Sequence, residues 1–253
     1  MNEITLFGFN NLTKSLSFTL YKLHYIAEQS TCYNQYIKSN FNADNLNKLL
    51  TNICHAIGGN VLNVAKQDYQ PQGASVTLMI SEEMPAEPIT KALAESLVAH
   101  LDKSHLCIHT YPEESPQDNI AIFRADIELS TCGIISPLKV LNHIIEIFDA
   151  DVIDIDYRVR GMTRNHEGKK LFNVDKIENI SESFSKIVTQ TYYVEESNLP
   201  RQNLFHAKLR RQSITLADHL IEYKKNNVSI DEQIKIKANL TNEIQQLFTN
   251  TTK

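Results

Sequence analysis

The stretch that decides the fold runs Asp102-Lys103-Ser104-His105-Leu106-Cys107-Ile108-His109-Thr110-Tyr111-Pro112-Glu113. Residues 106–110 predict a strand, which Pro112 ends because proline cannot donate to a strand ladder. Two further strand patterns flank it, at residues 74–80 and 120–129. Alternate residues of a strand share one face, so His105, Cys107 and His109 are expected to point the same way.

Helical patterns lie between these strands. One helix is predicted from a cap at Asn42 or Asp44 to Gly58-Gly59, and a second begins at Ser136-Pro137, with serine as N-cap and proline at the first helical position. Additional strands are predicted at residues 4–9, 61–65 and 152–157. Strands compatible with antiparallel pairing, with helices between them, predict an α+β fold: a two-layer α/β sandwich with a largely antiparallel sheet.

The amino-acid composition of the sequence changes after about residue 170. The remainder is rich in Asn, Gln and Lys, with helical patterns at residues 177–188, 216–223 and 230–248. We therefore expect an α/β sandwich domain over residues 1–165 and a mostly helical C-terminal extension over residues 166–253. The absence of a glycine-rich strand–turn–helix pattern argues against a Rossmann or P-loop nucleotide-binding domain.

The composition narrows the class of protein. Of 253 residues, 42% are hydrophobic and 22% are charged, which excludes global disorder. The formal net charge of −5 weighs against a nucleic-acid partner. No apolar stretch reaches 18 residues and no signal peptide is recognisable, so no membrane association is expected. We predict a cytoplasmic protein whose four cysteines, which lack C-x-x-C spacing, are reduced thiols.

The polar residues of the opening stretch, and Cys132 further along the chain, allow several interpretations of their function. An exposed polar strand face needs no function, and it is the favoured interpretation from spacing alone. As an alternative, His105, Cys107 and His109 form a metal-binding module, since imidazole and thiolate suit zinc. In a third interpretation Cys132, in Ser130-Thr131-Cys132-Gly133, is the nucleophile of a cysteine–histidine hydrolase, although most free cysteines are buried hydrophobes.

Several segments, taken together, resemble the S-adenosylmethionine decarboxylase family in its longer bacterial form. The segment Ser104-His105-x-x-x-His109-Thr110-x-Pro112-Glu113 is similar to the family's self-cleavage segment, and Cys132-Gly133 follows at the expected place. The other similar segments, in chain order, are Leu6-Phe7-Gly8-Phe9-Asn10-Asn11-Leu12-Thr13-Lys14, Pro71-Gln72-Gly73-Ala74-Ser75 and Asp156-Tyr157-Arg158-Val159-Arg160-Gly161.

The resemblance implies a carboxy-lyase made as an inactive proenzyme, or zymogen. Autocatalytic cleavage between Lys103 and Ser104 would give chains 1–103 and 104–253 and convert Ser104 into a covalently bound pyruvoyl group. By resemblance, His109 is the proton acceptor in processing and Ser75 is a candidate assistant. An electrophilic carbonyl is needed because no standard side chain delocalises the carbanion left by decarboxylation.

The resemblance further implies that S-adenosylmethionine binds the pyruvoyl group as a Schiff base. It also implies that Cys132 donates the proton that replaces the departing carbon dioxide. The product, S-adenosylmethioninamine, enters spermidine and therefore polyamine biosynthesis. Phe7 and Phe9 lie in the segment that supplies substrate-binding aromatic rings in relatives, and such rings suit a sulfonium cation. Two residues apart on a strand, they are equally consistent with a place in the core.

The resemblance also implies magnesium as an activator and self-association into four copies of the two-chain unit. No acidic cluster identifies ligands for the magnesium. One geometric condition follows from strand periodicity: Ser104 and His109 are an odd number of residues apart, so a regular strand places them on opposite faces. The family interpretation therefore requires a turn or irregularity near Ser104, and Asp102-Lys103 before it is polar enough for one.

Overall fold

An antiparallel sheet of eight strands organises the chain in this computed structural model, which describes residues 12–26, 31–82, 104–114, 119–132, 135–164, 168–172, 175–221 and 228–252. The strands are β1 (Thr13–Tyr25), β2 (Gly59–Asp68), β3 (Ala74–Glu82), β4 (His105–Glu114), β5 (Ile120–Cys132), β6 (Val152–Arg160), β7 (Thr163–Arg164), β8 (Lys170–Leu171), β9 (Tyr192–Leu199) and β10 (Leu204–Arg211). The order across the sheet is β2-β3-β4-β5-β1-β6-β10-β9, while β7 and β8 form a separate small ribbon.

Five α-helices accompany the strands in the described part of the chain. They are α1 (Thr31–Asn40), α2 (Ala43–Ala56), α3 (Leu141–Phe148), α4 (Lys186–Thr191) and α5 (Ile230–Thr249). The predicted cap of α2 is confirmed at Asn42, whose side chain accepts a hydrogen bond from Asn45 N at 2.9 Å. A 3₁₀ turn at Pro137–Val140 follows Ser136 and leads into α3. The predicted fold class, α+β with a largely antiparallel sheet, is confirmed.

Strand β1 is the centre of the sheet, paired with β5 on one side and with β6 on the other. This strand was not predicted, although its residues alternate regularly between polar and apolar. Lys14, Leu16, Phe18 and Leu20 are buried, and the residues between them are half-buried. A strand with polar residues at every second position presents one face to a core and the other to a different environment.

The two faces of the sheet are therefore distinct. The helix-covered face carries the apolar core, and α2 packs there against β2, β3 and β4. Core residues on this face include Leu16, Leu106, Ile127, Tyr157 and Phe205. The opposite face, called the open face below, carries polar side chains from alternate strand positions. One row across it consists of Ser75, His109, Asp126, Thr19, Asp154, Lys208 and Glu195.

The C-terminal extension contains strands as well as helices. The predicted helix at residues 230–248 is confirmed as α5, but β9 and β10 were not predicted and extend the main sheet beyond β6. In β10 the buried residues Phe205, Ala207 and Leu209 alternate with more exposed ones, which is the pattern of a strand. Helix α5 lies against the open face, in a cluster with Leu23, Ile120 and Val152 at the end of β1 remote from Thr13.

The buried carboxylate of Asp151 connects the C-terminal extension to the sheet through hydrogen bonds. Asp151 is fully buried; it accepts hydrogen bonds from Leu23 N at 2.8 Å and Arg211 Nε at 2.9 Å, and its Oδ1 lies 3.0 Å from His219 Nε2. Burial alone raises the pKa of Asp151, but the hydrogen bond with His219 and the charge of Lys22 outweigh it and lower that pKa. The carboxylate therefore stays ionised and anchors β10 and the segment around His219.

A buried histidine makes stability depend on pH. His24 is 4% exposed and packs edge-on against Tyr36 at 5.1 Å between ring centroids; among the described residues neither of its ring nitrogens has a hydrogen-bond partner. Burial lowers its pKa from 6.5 to about 4. As the pH falls, the imidazole is protonated in the unfolded chain at a higher pH than in the folded chain. The free energy of unfolding is therefore at its full value above pH 6.5 and falls by about 3 kcal/mol as the pH drops towards 4.

We expect His24→Phe to remove this part of the pH dependence, since phenylalanine fills the site without a titratable group. Urea unfolding at several pH values between 7 and 4 measures it. His143→Phe, at an exposed position in α3, is the control and should keep the wild-type dependence. An identical loss of stability in wild type and His24→Phe would contradict the assignment to His24.

Candidate active site

Ser104 and Cys132 meet where β4 begins and β5 ends. Cys132 N donates a hydrogen bond to Ser104 Oγ at 3.2 Å, and both residues are buried. The backbone of Ser104 also continues the sheet, because its carbonyl accepts a hydrogen bond from Ile80 N at 3.1 Å. In the register of the sheet, His105 lies opposite Ser130, which makes His105 a diagonal neighbour of Cys132 on the open face. The ends of three strands thus fix a serine hydroxyl beside a cysteine.

Ser75 and His109 form a second pair on the open face. They lie directly opposite each other in the ladder between β3 and β4. Across the next ladder, His109 lies opposite Asp126, which is held by Arg124 through Nε–Oδ1 and Nη2–Oδ2 hydrogen bonds of 3.0 and 2.5 Å. The Arg124 guanidinium in turn lies 5.1 Å from the centre of the Tyr111 ring. An imidazole here is therefore flanked by a hydroxyl on one side and an ion pair on the other.

Next to this second pair, a threonine of β4 holds the start of β3 by hydrogen bonds. The Thr110 hydroxyl accepts from Ala74 N at 2.8 Å and lies 3.2 Å from Ala74 O. Gly73, the residue before Ala74, has φ +100°, and a Cβ there would lie 2.7 Å from the Thr110 carbonyl oxygen. Only glycine allows the two backbones to approach so closely.

We predict that Gly73→Ala lowers the free energy of unfolding by about 3 kcal/mol, because it combines an unfavourable φ with a backbone clash. Gly58→Ala is the matched control: its φ is +86°, but a Cβ there meets nothing within 4 Å, so about 1 kcal/mol is expected. Denaturant unfolding of both variants measures the difference. Equal losses would show that the close contact with Thr110 does not matter.

The two pairs are well separated within one chain. Ser104 and His109 are five residues apart along an extended strand, a distance of about 16 Å. The pairing of β4 with β5 runs from His105 to Glu114 without a register shift, so the irregularity predicted near Ser104 is absent between these residues. From His105 to His109 the strand is extended because it is paired on both sides, and continuous ladders hold a strand extended. Asp102 and Lys103, the polar pair before Ser104, lie outside the described ranges, so an irregularity at that point stays a prediction.

The metal-binding interpretation finds no support in the described part of the chain. His105, Cys107 and His109 lie on one face, as predicted, but no group of three or more His, Cys, Asp or Glu side chains there is arranged to hold a metal ion. Burial and then the charge of Glu128 raise the pKa of the Cys107 thiol, which disfavours a thiolate ligand. The described residues likewise offer no magnesium site, so we derive no step through that ion.

The hydrolase interpretation requires a histidine hydrogen-bonded to the Cys132 thiol, and no such bond is present among the described residues. Three residues named from the sequence, Phe7, Phe9 and Lys103, lie outside the described ranges. No described helix is long and apolar enough to cross a membrane.

Comparison with known proteins identifies the family to which these residues belong. The family model described as S-adenosylmethionine decarboxylase matches residues 23–161. The S-adenosylmethionine decarboxylase proenzyme of Stenotrophomonas maltophilia (strain K279a) is 47% identical, covering 97% of this chain and 95% of that protein. The chain belongs to the S-adenosylmethionine decarboxylase family. The proenzyme of the same name from Xylella fastidiosa (strain M12) is 46% identical with the same coverage.

Membership of the S-adenosylmethionine decarboxylase family confirms the resemblance stated from sequence and the prediction of a decarboxylase, a lyase, at the level of the family. The relatives are named proenzymes, which describes proteins made as precursors. The crystal structure of the adenosylmethionine decarboxylase from Aquifex aeolicus vf5 is 16% identical and covers 60% of this chain and 92% of that chain, with a TM-score of 0.37. So low a structural similarity adds nothing to the family assignment, which rests on sequence.

Proposed function

We propose that this protein is a self-processing, pyruvoyl-dependent decarboxylase that converts S-adenosylmethionine to S-adenosylmethioninamine and carbon dioxide, for spermidine synthesis in the cytoplasm. The contact between Ser104 Oγ and Cys132 N, 3.2 Å long in a chain of this family, is the observation that carries the proposal. The contact supports the proposal because it joins the hydroxyl of the residue that would become the pyruvoyl group to the backbone of Cys132, whose thiol would protonate the product. Residues 1–165 would carry this chemistry.

Self-processing uses the chain's own groups. Ser104 Oγ attacks the carbonyl carbon bonded to the Ser104 nitrogen; a C–O bond forms, the C–N bond breaks, and the hydroxyl proton moves to the nitrogen. A base then removes the Ser104 α-proton, the Cβ–O bond breaks, and the upstream chain leaves as a carboxylate. Tautomerisation of the resulting dehydroalanine and addition of water release ammonia and leave a pyruvoyl group. His109 is our candidate for the base, and Ser75 for its assistant.

The site fits such a group, because Ser104 is buried and held by hydrogen bonds to both neighbouring strands. Its carbonyl would condense with the substrate amine and take up the electron pair that remains when carbon dioxide leaves. Cys132, at the end of β5, would donate the proton that replaces the carboxylate. Burial of both residues excludes bulk water, which competes with such a proton transfer.

The separation of the two pairs supports a site shared between two copies of the chain. A base must reach the proton it removes to within about 3 Å, whereas His109 is about 16 Å from Ser104 of its own chain. Cys132, Ser75 and His109 all belong to the open face, much of which is not covered by α5. We propose that two copies pack by these faces about a two-fold axis, so that His109 of the partner subunit serves Ser104. Assembly into four copies is consistent with two such pairs.

Complementation between two inactive variants tests this arrangement. Ser104→Ala lacks the serine but keeps His109, and His109→Ala lacks the base but keeps Ser104. We expect neither variant to be cleaved when produced alone. When they are co-expressed with different tags, random pairing should allow cleavage of about half of the His109→Ala chains and none of the Ser104→Ala chains.

Co-purification of the two tags shows that mixed assemblies form. Mixed assemblies without any cleavage would contradict the shared site. Normal cleavage of His109→Ala produced alone would instead remove His109 from the proposed reaction.

A further inference from the structure

A lysine is fully buried at the end of the sheet that carries Ser104. Lys14 is 0% exposed and is one of the largest fully buried side chains of the described chain. It alternates with half-buried residues of β1 and therefore points to the helix-covered face, together with Leu16. Moving an ammonium group out of water into such surroundings costs several kcal/mol, and an apolar residue of the same size avoids that cost. Lys14 is thus a cation enclosed at the end of the sheet that carries Ser104.

The register of the sheet places Lys14 in the same row as Ser104. Lys14 lies directly opposite Thr131 of β5, the residue before Cys132. On the far side of β5, His105 lies opposite Ser130, so Ser104 is the next residue along and neighbours Thr131. Ser104, Thr131 and Lys14 thus form one row across three strands, about 10 Å from end to end between Cα atoms. The four-carbon stem of lysine spans a large part of that distance.

The face of the sheet also matters. Ser104 and Thr131 are buried at positions that alternate onto the helix-covered face, as does Lys14. Two other described cations at this end of the sheet, Arg158 and Arg160, are exposed on the open face, where Arg160 Nη2 donates to Ser15 Oγ at 3.3 Å. Of these three described cations, Lys14 is the one that lies on the same side of the sheet as the Ser104 side chain.

We propose that Lys14 is a further catalytic residue of self-processing, in addition to the groups named above. When Ser104 Oγ adds to the carbonyl carbon bonded to the Ser104 nitrogen, the carbonyl oxygen becomes an oxyanion, and the Lys14 ammonium stabilises it. The charge moves back into the carbonyl as the C–N bond breaks and the nitrogen takes the hydroxyl proton, so lysine returns unchanged. A fixed charge in a site without bulk water is effective in this role. The inference rests on the proposed function, because it needs the acyl shift to occur.

Two substitutions separate charge from structure. Lys14→Met keeps the volume and removes the charge, and we expect cleavage about 100-fold slower than wild type in a chain that remains folded. Lys14→Arg keeps a cation, and we expect cleavage within about tenfold of wild type. Lys208→Met is the control, because Lys208 also lies in the main sheet with a side chain only 12% exposed. We expect this variant to cleave as fast as wild type. Time courses of freshly synthesised chain in a cell-free system give the rates, and urea unfolding confirms the fold.

Trapping with hydroxylamine locates the step. Hydroxylamine cleaves esters, so a chain blocked after the acyl shift is cut at residue 104, whereas a chain blocked at the acyl shift is not. We expect no cut in folded Lys14→Met. Accumulated ester, or cleavage within threefold of wild type, would overturn the role of Lys14.

If Lys14→Met does not fold, Lys14→Gln replaces it with the same expected results. The role of charge would also be overturned if a folded Lys14→Arg variant cleaved as slowly as the neutral variant. Failure of the wild-type chain to cleave would refute the proposed function itself, independently of Lys14.

Discussion

Replacement of Ser104 by alanine is expected to leave one uncleaved chain of 28.9 kDa with no decarboxylase activity. The expected loss is complete, because the hydroxyl is both the nucleophile of the acyl shift and the leaving group of the elimination, and alanine can do neither. The methyl group fits the site, and the lost hydrogen bond from Cys132 N costs about 1 kcal/mol. Gel analysis and carbon dioxide release from S-adenosylmethionine measure the two effects.

Ser197→Ala is the control for this prediction. Ser197 lies in β9 at the far edge of the same sheet, opposite His206, and its loss should leave cleavage and activity unchanged. Cleavage of the Ser104→Ala chain between residues 103 and 104 would show that another group breaks this bond. Decarboxylation by the uncleaved variant would refute the need for a pyruvoyl group.

Replacement of Cys132 by alanine is expected to separate the two reactions. Self-cleavage should continue, since the thiol takes no part in the acyl shift or the elimination, while decarboxylation should fall about 100-fold or more, the usual effect of removing a general acid. The altered chain should also release product that was protonated by solvent, which is detectable as loss of stereochemical preference when the reaction is run in deuterated water. Intact mass and carbon dioxide release, measured on the same preparation, test both parts.

Cys54→Ala is the matched control for a thiol that packs but does not react. Cys54 is fully buried in α2, and burial raises the pKa of its thiol to about 11. Its replacement should lower stability slightly and leave turnover intact. Wild-type turnover of Cys132→Ala would remove Cys132 from the mechanism, and a complete block of cleavage would place it in processing instead.

The sequence predicted those elements whose signals are local. Asn42 as a cap, the glycines after α2 and Ser136-Pro137 before α3 each act within a few residues, and the structure has helices at these places. Strands β3, β4 and β5 were recognised for the same reason. The alternation in Thr13–Tyr25 was visible too, and counting polar and apolar positions there would have predicted the central strand β1.

Other features depend on long-range contacts and have no local signal. Strands β9 and β10 carry many charged and polar residues, and their pairing is stabilised by the edge of β6 and by helix α5. The positions of Ser75 and His109 relative to Ser104 follow from register, which depends on how three strands pair. Sequence similarity supplied the candidate residues, but it could not show that one chain holds them as two separate pairs.

The intact mass of freshly purified protein under denaturing conditions tests most directly whether the chain processes itself. We predict two chains, Met1–Lys103 and Ser104–Lys253, the second lighter than its unmodified sequence by the mass of one ammonia molecule. This result would establish both the cleavage site and the conversion of Ser104. A single chain with the mass of the full 253-residue sequence, unchanged over days in solution, would contradict the proposed mechanism.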